Sequence, residues 1–263
     1  MRYAEYPPSP RFAGTVERYW ILEGAGAGAP AAILPDGRVE LVFHYGATFR
    51  RHHSNARVER QPRALLAGPS LAPVVVSHDG LAGVAAIRLR PAAARALLHF
   101  PIRDVTDRIV DLEAIFPGAR RLREQLASAC DDAGRLQRLE DWLRDIELAP
   151  LDREVAFAVD TIVHTGGRVT VDLLARRSGV GRRQLERAFL RDVGLPPKSF
   201  ARLTRLHTAL RLVRGGDALA DAAAACGYYD QAHMTLDFRH LAATSPEAWR
   251  RHGGELGPLF AGC

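Results

Sequence analysis

Cysteine is scarce in this sequence, and its three copies, Cys130, Cys226 and Cys263, are widely spaced and odd in number. They fit neither a disulfide framework nor a metal knuckle, so a reducing compartment is expected. Apolar runs are short as well. None approaches the roughly 20 residues needed to cross a bilayer. Residues Met1 to Thr15 are polar and proline-rich, without the apolar stretch of a secretory signal. A cytoplasmic protein with no membrane partner is the expectation. Lysine is nearly missing: Lys198 stands alone among 36 cationic side chains. Together with the many alanines, that skew resembles the codon bias of a GC-rich bacterial genome. No single arginine therefore carries meaning by its type alone.

Motifs of catalysis are missing too. There is no Gly-x-Ser-x-Gly elbow, no phosphate loop and no paired-cysteine motif. The histidines of the first half, His44, His52, His53, His78 and His99, lack the His-x-His step with a glutamate that a cupin-like metal site uses. Adjacent His52 and His53 would point to opposite sides of a strand, which is poor for chelation. No catalytic residue, metal or cofactor is expected.

What remains is a composition of globular type, 47% hydrophobic and 25% charged, in 263 residues, enough for two domains. Charge divides them. Residues 151–252 hold 16 Lys and Arg against 11 Asp and Glu, a net of +5 out of +6 for the chain. A basic domain beside a neutral one points to a polyanionic partner for the basic part.

The neutral part reads as strands and turns. Tyr19 to Leu22, Val39 to Phe43, Ala64 to Ala67, Val74 to His78 and Val84 to Leu89 are apolar strand candidates. A small-residue loop runs from Gly24 to Pro30, and Asp36-Gly37 between apolar runs predicts a hairpin. Pro91 to Phe100 reads as a short helix. From Arg120 the apolar period becomes helical, with Leu122 and Leu126 on one stripe and Leu136, Leu139 and Leu143 on another. The expected architecture is α+β. A β-rich barrel or sandwich spans 1–117 and a helical connector 118–150. An all-α domain at 151–252 and a tail at 253–263 follow.

The all-α domain contains a repeat. Gly181-x3-Leu185-x3-Phe189-x4-Gly194-x2-Pro197-x2-Phe200-x-Arg202 returns 49 residues later as Asp230-x3-Met234-x3-Phe238-x4-Ala243-x2-Pro246-x2-Trp249-x-Arg251. An alanine-rich helix and a glycine, Gly179 or Gly227, precede each copy. Glycine suits the left-handed cap that ends a helix before a sharp turn, and proline suits the opening turn of the next helix. Each copy therefore reads as a helix-turn-helix whose second helix keeps one polar face free for a major groove. The segment Pro197 to Arg214 reads as one connecting helix, about 27 Å long at 1.5 Å per residue. That suits two recognition helices in successive major grooves, which lie about 34–36 Å apart.

These residues resemble the AraC/XylS-type transcription regulators. The resemblance spans about residues 155–252 through Leu174-Ala175, Leu185 to Phe189, Gly194 to Pro197, Ala224 to Tyr228, Asp230 to His233 and Ser245 to Arg250. The N-terminal part is similar to sensor domains of such regulators through Tyr19-Trp20 and Leu34-Pro35-Asp36-Gly37. The resemblance implies a bacterial regulator of transcription that binds double-stranded DNA, with RNA polymerase and a second copy of the chain as further candidate partners. Three departures stand out. Gly181 replaces a serine cap, Ala243 a glycine, and Leu236 a frequent arginine. On the first recognition helix Arg182, Arg183 and Arg187 are the candidate DNA contacts, and on the second Gln231, His233 and Thr235. Arginine matches guanine O6/N7 and glutamine matches adenine N6/N7. Asp230 reads as an N-cap.

A β-rich domain with an apolar interior suits a small-molecule effector, with Trp20 and His44, beside Phe43 and Tyr45, as candidate lining. Helices 118–147 would couple it to DNA binding. Alternatives are a protein-interaction module that docks through those helices, or an unrecognised enzyme domain fused to the DNA-binding module.

Overall fold

The computed structural model describes residues 1–25 and 30–251. Part of the expected Gly24–Pro30 loop, the 253–263 tail and Cys263 lie outside the described residues. Among the described residues the first half holds ten strands: β1 (Arg2–Tyr6), β2 (Val16–Ala25), β3 (Ala31–Ile33), β4 (Glu40–His44), β5 (Arg50–His52), β6 (Val58–Arg60), β7 (Ala64–Ala67), β8 (Val74–Ser77), β9 (Leu81–Leu89) and β10 (Ile109–Asp111). They form two antiparallel sheets, ordered β1-β2-β9-β4-β7-β10 and β3-β8-β5-β6. Helices α1 (Ala94–Leu98), α2 (Ala119–Ser128) and α3 (Asp132–Arg144) complete this half.

Both faces of the larger sheet are buried, and strand alternation divides its side chains cleanly. Tyr19 and Ile21, Leu41 and Phe43, and Ile87 and Leu89 face α1, α2 and α3, where Leu97, Leu122, Leu126, Leu139 and Leu143 close one core. Trp142 from α3 meets the edges of Phe43 and Phe116 at ring-centroid distances of 5.7 and 5.3 Å. Trp20, Leu22, Val42, Val84 and Ala86 face the smaller sheet instead. Apolar residues of α2 and α3, in the segment expected to be a helical connector, are thus part of the β-rich domain's core.

The Asp36-Gly37 turn departs from its predicted role. β3 pairs with β8 and β4 pairs with β9 and β7, so the turn carries the chain from one sheet to the other and closes no hairpin. Gly37 keeps the positive φ expected of such a turn, +74°.

The second half is all helical: α4 (Arg153–His164), α5 (Val171–Ser178), α6 (Arg182–Val193), α7 (Pro197–Arg214), α8 (Leu219–Ala225), α9 (Gln231–Ala242) and α10 (Pro246–Arg251). Caps follow local chemistry. The side chains of Asp152, Thr170 and Asp230 accept from Val155, Leu173 and His233 backbone N–H groups at 3.1, 3.2 and 2.7 Å. Gly181 caps α6 without a side-chain bond, and Gly179 ends α5 in the left-handed region at φ +70°. Leu185 and Phe189 of α6 pack with Val155, Val159, Leu174 and Phe200, whereas Met234 and Phe238 of α9 pack with Leu206, Leu210, Ala222 and Trp249. The unbroken α7 belongs to both cores. No described helix is long and apolar enough to cross a membrane.

Gly194 and Ala243 occupy equal places at the ends of α6 and α9, with φ of +83° and +51°. The left-handed region costs alanine about 1–2 kcal/mol. Ala243→Gly is therefore expected to raise stability by about 0.5–1 kcal/mol, after the entropy that glycine adds to the unfolded chain. An unchanged or lower urea midpoint at constant m would contradict this.

Candidate functional site

Two helix-turn-helix units, α5–α6 and α8–α9, are built on one rigid helix, α7. On α6 the buried stripe of Leu185, Phe189 and Val193 leaves the opposite side to Arg183 and Arg187, both exposed. Among the described residues no carboxylate pairs with either. Arg182, at the start of the helix, is tied to Glu186 at 3.1 Å and Asp172 at 3.2 Å. Its hydrogen bond to Glu186 raises its already high pKa. Arg182 must exchange those partners to meet a base, whereas Arg183 and Arg187 need not.

On α9, Met234, Phe238 and Leu241 are buried, and the outer side carries Ala232, Leu236 and Arg239. Gln231 opens the helix and is exposed, and the Thr235 hydroxyl donates to its carbonyl at 2.9 Å. His233 lies on the flank, edge-on to the Tyr228 ring at 5.3 Å. Sequence reasoning passed over Ala232 and Arg239. Their position three or four residues from Leu236, opposite the buried stripe, is the signal that marks them.

Two other arginines serve inside the domain. Arg202 of α7 pairs with the buried Asp237 of α9 at 2.7 Å, and Arg205 lies 4.9 Å over the Tyr228 ring.

The helical half docks directly on the β-rich half. A Cβ at Gly37 would lie 2.8 Å from Phe200, and one at Gly194 would lie 2.8 Å from both Ile102 and Pro69. Leu34 joins the core of the second helix-turn-helix unit. His207 Nε2 donates to the Pro35 carbonyl at 2.8 Å, and the Arg38 guanidinium stands 5.8 Å over the Phe200 ring. The Thr106 hydroxyl donates to the Gly194 carbonyl at 2.8 Å, and Arg95 of α1 pairs with the buried Asp192 of α6 at 2.6 Å. Among the described residues these contacts come from segment 34–38, α1 and the turn near 102–106, and none of them involves α2 or α3.

Between the two sheets lies a cavity of about 120 Å³. Trp20, Val42, Phe49 and Val76 form part of its apolar wall, and His44, Glu40, Asp36 and Arg88 its polar parts. Phe43 and Tyr45 point elsewhere: Phe43 is in the helix-covered core, and the Tyr45 hydroxyl donates to Glu23 at 2.8 Å. His44 is buried beside Phe49, whose ring stacks on His78 at 4.9 Å. Burial lowers the His44 pKa to about 4, so the imidazole is neutral at physiological pH. Arg88 pairs with Asp36 and lies 3.3 Å from Glu40, tying the central sheet to the docking segment.

Paired helix-turn-helix units on a single connecting helix define a nucleic-acid-binding architecture. A helix-turn-helix domain family matches residues 174–252, and a family described as Domain of unknown function (DUF6597) matches residues 4–111. The HTH-type transcriptional regulator MtrA of Neisseria gonorrhoeae is 30% identical over 86 residues, 32% of this chain and 29% of that relative. The chain thus spans less than a third of the curated relative it matches. Among solved structures, a transcriptional regulator with an AraC-type DNA-binding domain from Chromobacterium violaceum is 25% identical. It covers 40% of this chain and 96% of its own, with a TM-score of 0.37. ToxT from Vibrio cholerae is 12% identical and covers 89% of this chain and 97% of its own, with a TM-score of 0.47. Residues 174–252 are a helix-turn-helix domain.

The cavity wall yields a pH signature. Burial pushes the Glu40 carboxyl up to about 7 from its ordinary 4.5, against the pull of the Trp20 N–H and nearby arginines. The folded state then holds this proton more tightly than the unfolded chain, so the contribution is fully present below about 4.5 and is lost as pH rises through about 7. The stability of the wild type relative to Glu40→Gln should fall across that window. Chemical denaturation at several pH values checks this, and a flat difference would exclude it.

Proposed function

We propose that this protein is a sequence-specific DNA-binding regulator of transcription, and that a small molecule held in its β-rich domain adjusts its grip on DNA. The observation that carries the reading is the pair of exposed recognition faces, on α6 and α9, fixed by one continuous helix. Arg183 and Arg187 offer guanidinium groups that no carboxylate among the described residues neutralises. Gln231 and Thr235 offer polar groups on the second face. The helix between them spans about 27 Å, so one chain can address two successive major grooves.

The effector reading rests on the cavity between the sheets and its wall. Asp36 and Arg38 line the cavity, and the same short segment touches α7 through Pro35 and Arg38. A ligand that presses on this wall therefore bears on the contact that orients the first helix-turn-helix unit. Trp20 and His44 are the proposed effector contacts, since both line the cavity.

Purified full-length protein is expected to shift duplex DNA selected from a random pool, with affinity that drops steeply as salt rises and counterions are released. Absence of any salt-sensitive shift would overturn the reading. Arg187→Ala should cost about 1–3 kcal/mol of operator affinity and relax specificity at one half-site, more than Gln231→Ala costs. Equal or reversed losses in folded variants would contradict that order. A ligand found by thermal-shift screening should change operator affinity by about 5–150-fold, and operator DNA should change ligand affinity by the same factor. A cavity ligand that leaves operator affinity unaltered would reject effector control.

A further inference from the structure

The two recognition helices occupy equal positions in the repeat, yet their outward ridges differ in kind. Arg183 and Arg187 of α6 stand where α9 has Ala232 and Leu236, 49 residues on. Leu236 is 51% exposed, on a helix whose own apolar stripe, Met234, Phe238 and Leu241, is fully engaged on the other side. It packs nothing that the domain needs for its core. Beside it, Gln231, Ala232, Thr235 and Arg239 line a shallow depression along the same ridge. The Thr235 hydroxyl proton is committed to the Gln231 carbonyl at 2.9 Å, which leaves that side chain its methyl group and its oxygen lone pairs.

We infer that α9 reads thymine, through the 5-methyl groups that A·T pairs present in the major groove, while α6 reads guanine. The inference rests on the DNA-binding reading above. Its physical basis is the code of the major groove. Thymine carries a methyl group on C5 where cytosine has only hydrogen, and an O4 acceptor where cytosine has an N4 donor; guanine offers two acceptors that match arginine. Leu236 and Ala232 gain by covering a methyl group. Facing cytosine, they would strip water from an N4 donor and return no acceptor, a loss that disfavours G·C pairs at those positions. Gln231, at the start of the helix, fits adenine N6 and N7 on the paired strand. The operator is therefore asymmetric: a guanine-bearing half faces α6 and a thymine-bearing half faces α9.

The test uses the full-length protein and a duplex selected from a random pool. The half facing α9 is the one where Gln231→Ala relaxes the selection. Within it, each thymine is replaced in turn by deoxyuridine, which removes the methyl group and nothing else. At one or two positions this should weaken the wild type by about three- to tenfold. Leu236→Ala should bind the thymine and uracil operators alike at one of those positions. Leu236→Arg, which restores the side chain of the first copy, should shift the selected base there towards guanine. The exposed position makes misfolding a minor concern, and circular dichroism checks it.

Three results would overturn the inference: a G·C-paired half facing α9, indifference of the wild type to uracil throughout that half, or a Leu236→Ala variant as sensitive to uracil as the wild type. Enrichment of no duplex at all would overturn the DNA-binding reading itself, and this inference with it.

Discussion

Gly37 and Gly194 mark where the two halves of the molecule meet too closely for any side chain, one against Phe200 and the other against Ile102 and Pro69. Phe200 lies in the core of the first helix-turn-helix unit, and Gly194 ends its recognition helix. The β-rich domain therefore rests on the structural root of α6 rather than on a remote surface. The buried Asp192 strengthens the same place, held by Arg191 of its own helix at 2.5 Å and by Arg95 from α1 at 2.6 Å. Removing one partner of a buried ion pair leaves a charge uncompensated and costs far more than an exposed pair contributes. Leu34 of the first domain is also built into the core of the second helix-turn-helix unit.

That docking also ties the cavity wall to the helical half. Strand alternation leaves the larger sheet two apolar faces, and helices α1, α2 and α3 fill only one of them. The smaller sheet covers the other and leaves a cavity between them with polar groups in its wall. Arg88 rises from the sheet into this space and holds Asp36, one residue before the glycine that touches Phe200. A path of packed and paired groups thus runs from the cavity to α7. Coupling of this kind needs two arrangements of the contact with different ligand affinity, since equal affinity shifts nothing. The short 34–38 segment, bound on both sides, is the element that such a change would move.

The repeat, the helix caps and the long connecting helix are legible in the order of residues alone. Each rests on local chemistry: the spacing of apolar side chains, an Asp or Thr at a helix start, a glycine at a left-handed position. Ala243 is legible in the same way, as an alanine where its copy has Gly194, and it does adopt positive φ. The outer ridges of α6 and α9 follow from the same periodicity. Four strands leave no such trace. β1 carries charged residues through its apolar pattern, and β5, β6 and β10 are three residues long, too short to show a period.

By itself the sequence determined the helices, the longer apolar strands and the double helix-turn-helix, because those depend on neighbours within about one or two helical turns. Only the tertiary structure decided what the elements face. It turned an expected hairpin at Asp36-Gly37 into a crossover between sheets, sent Trp20 and His44 to the cavity but Phe43 to the helix-covered core, and placed Leu34 in a core whose other members begin at Leu195. It also moved the domain contact from helices 118–147 to the 34–38 segment. His207 and Pro35, 172 residues apart, share a hydrogen bond. Such pairings follow from which apolar faces meet most completely in three dimensions, and no local period records that choice.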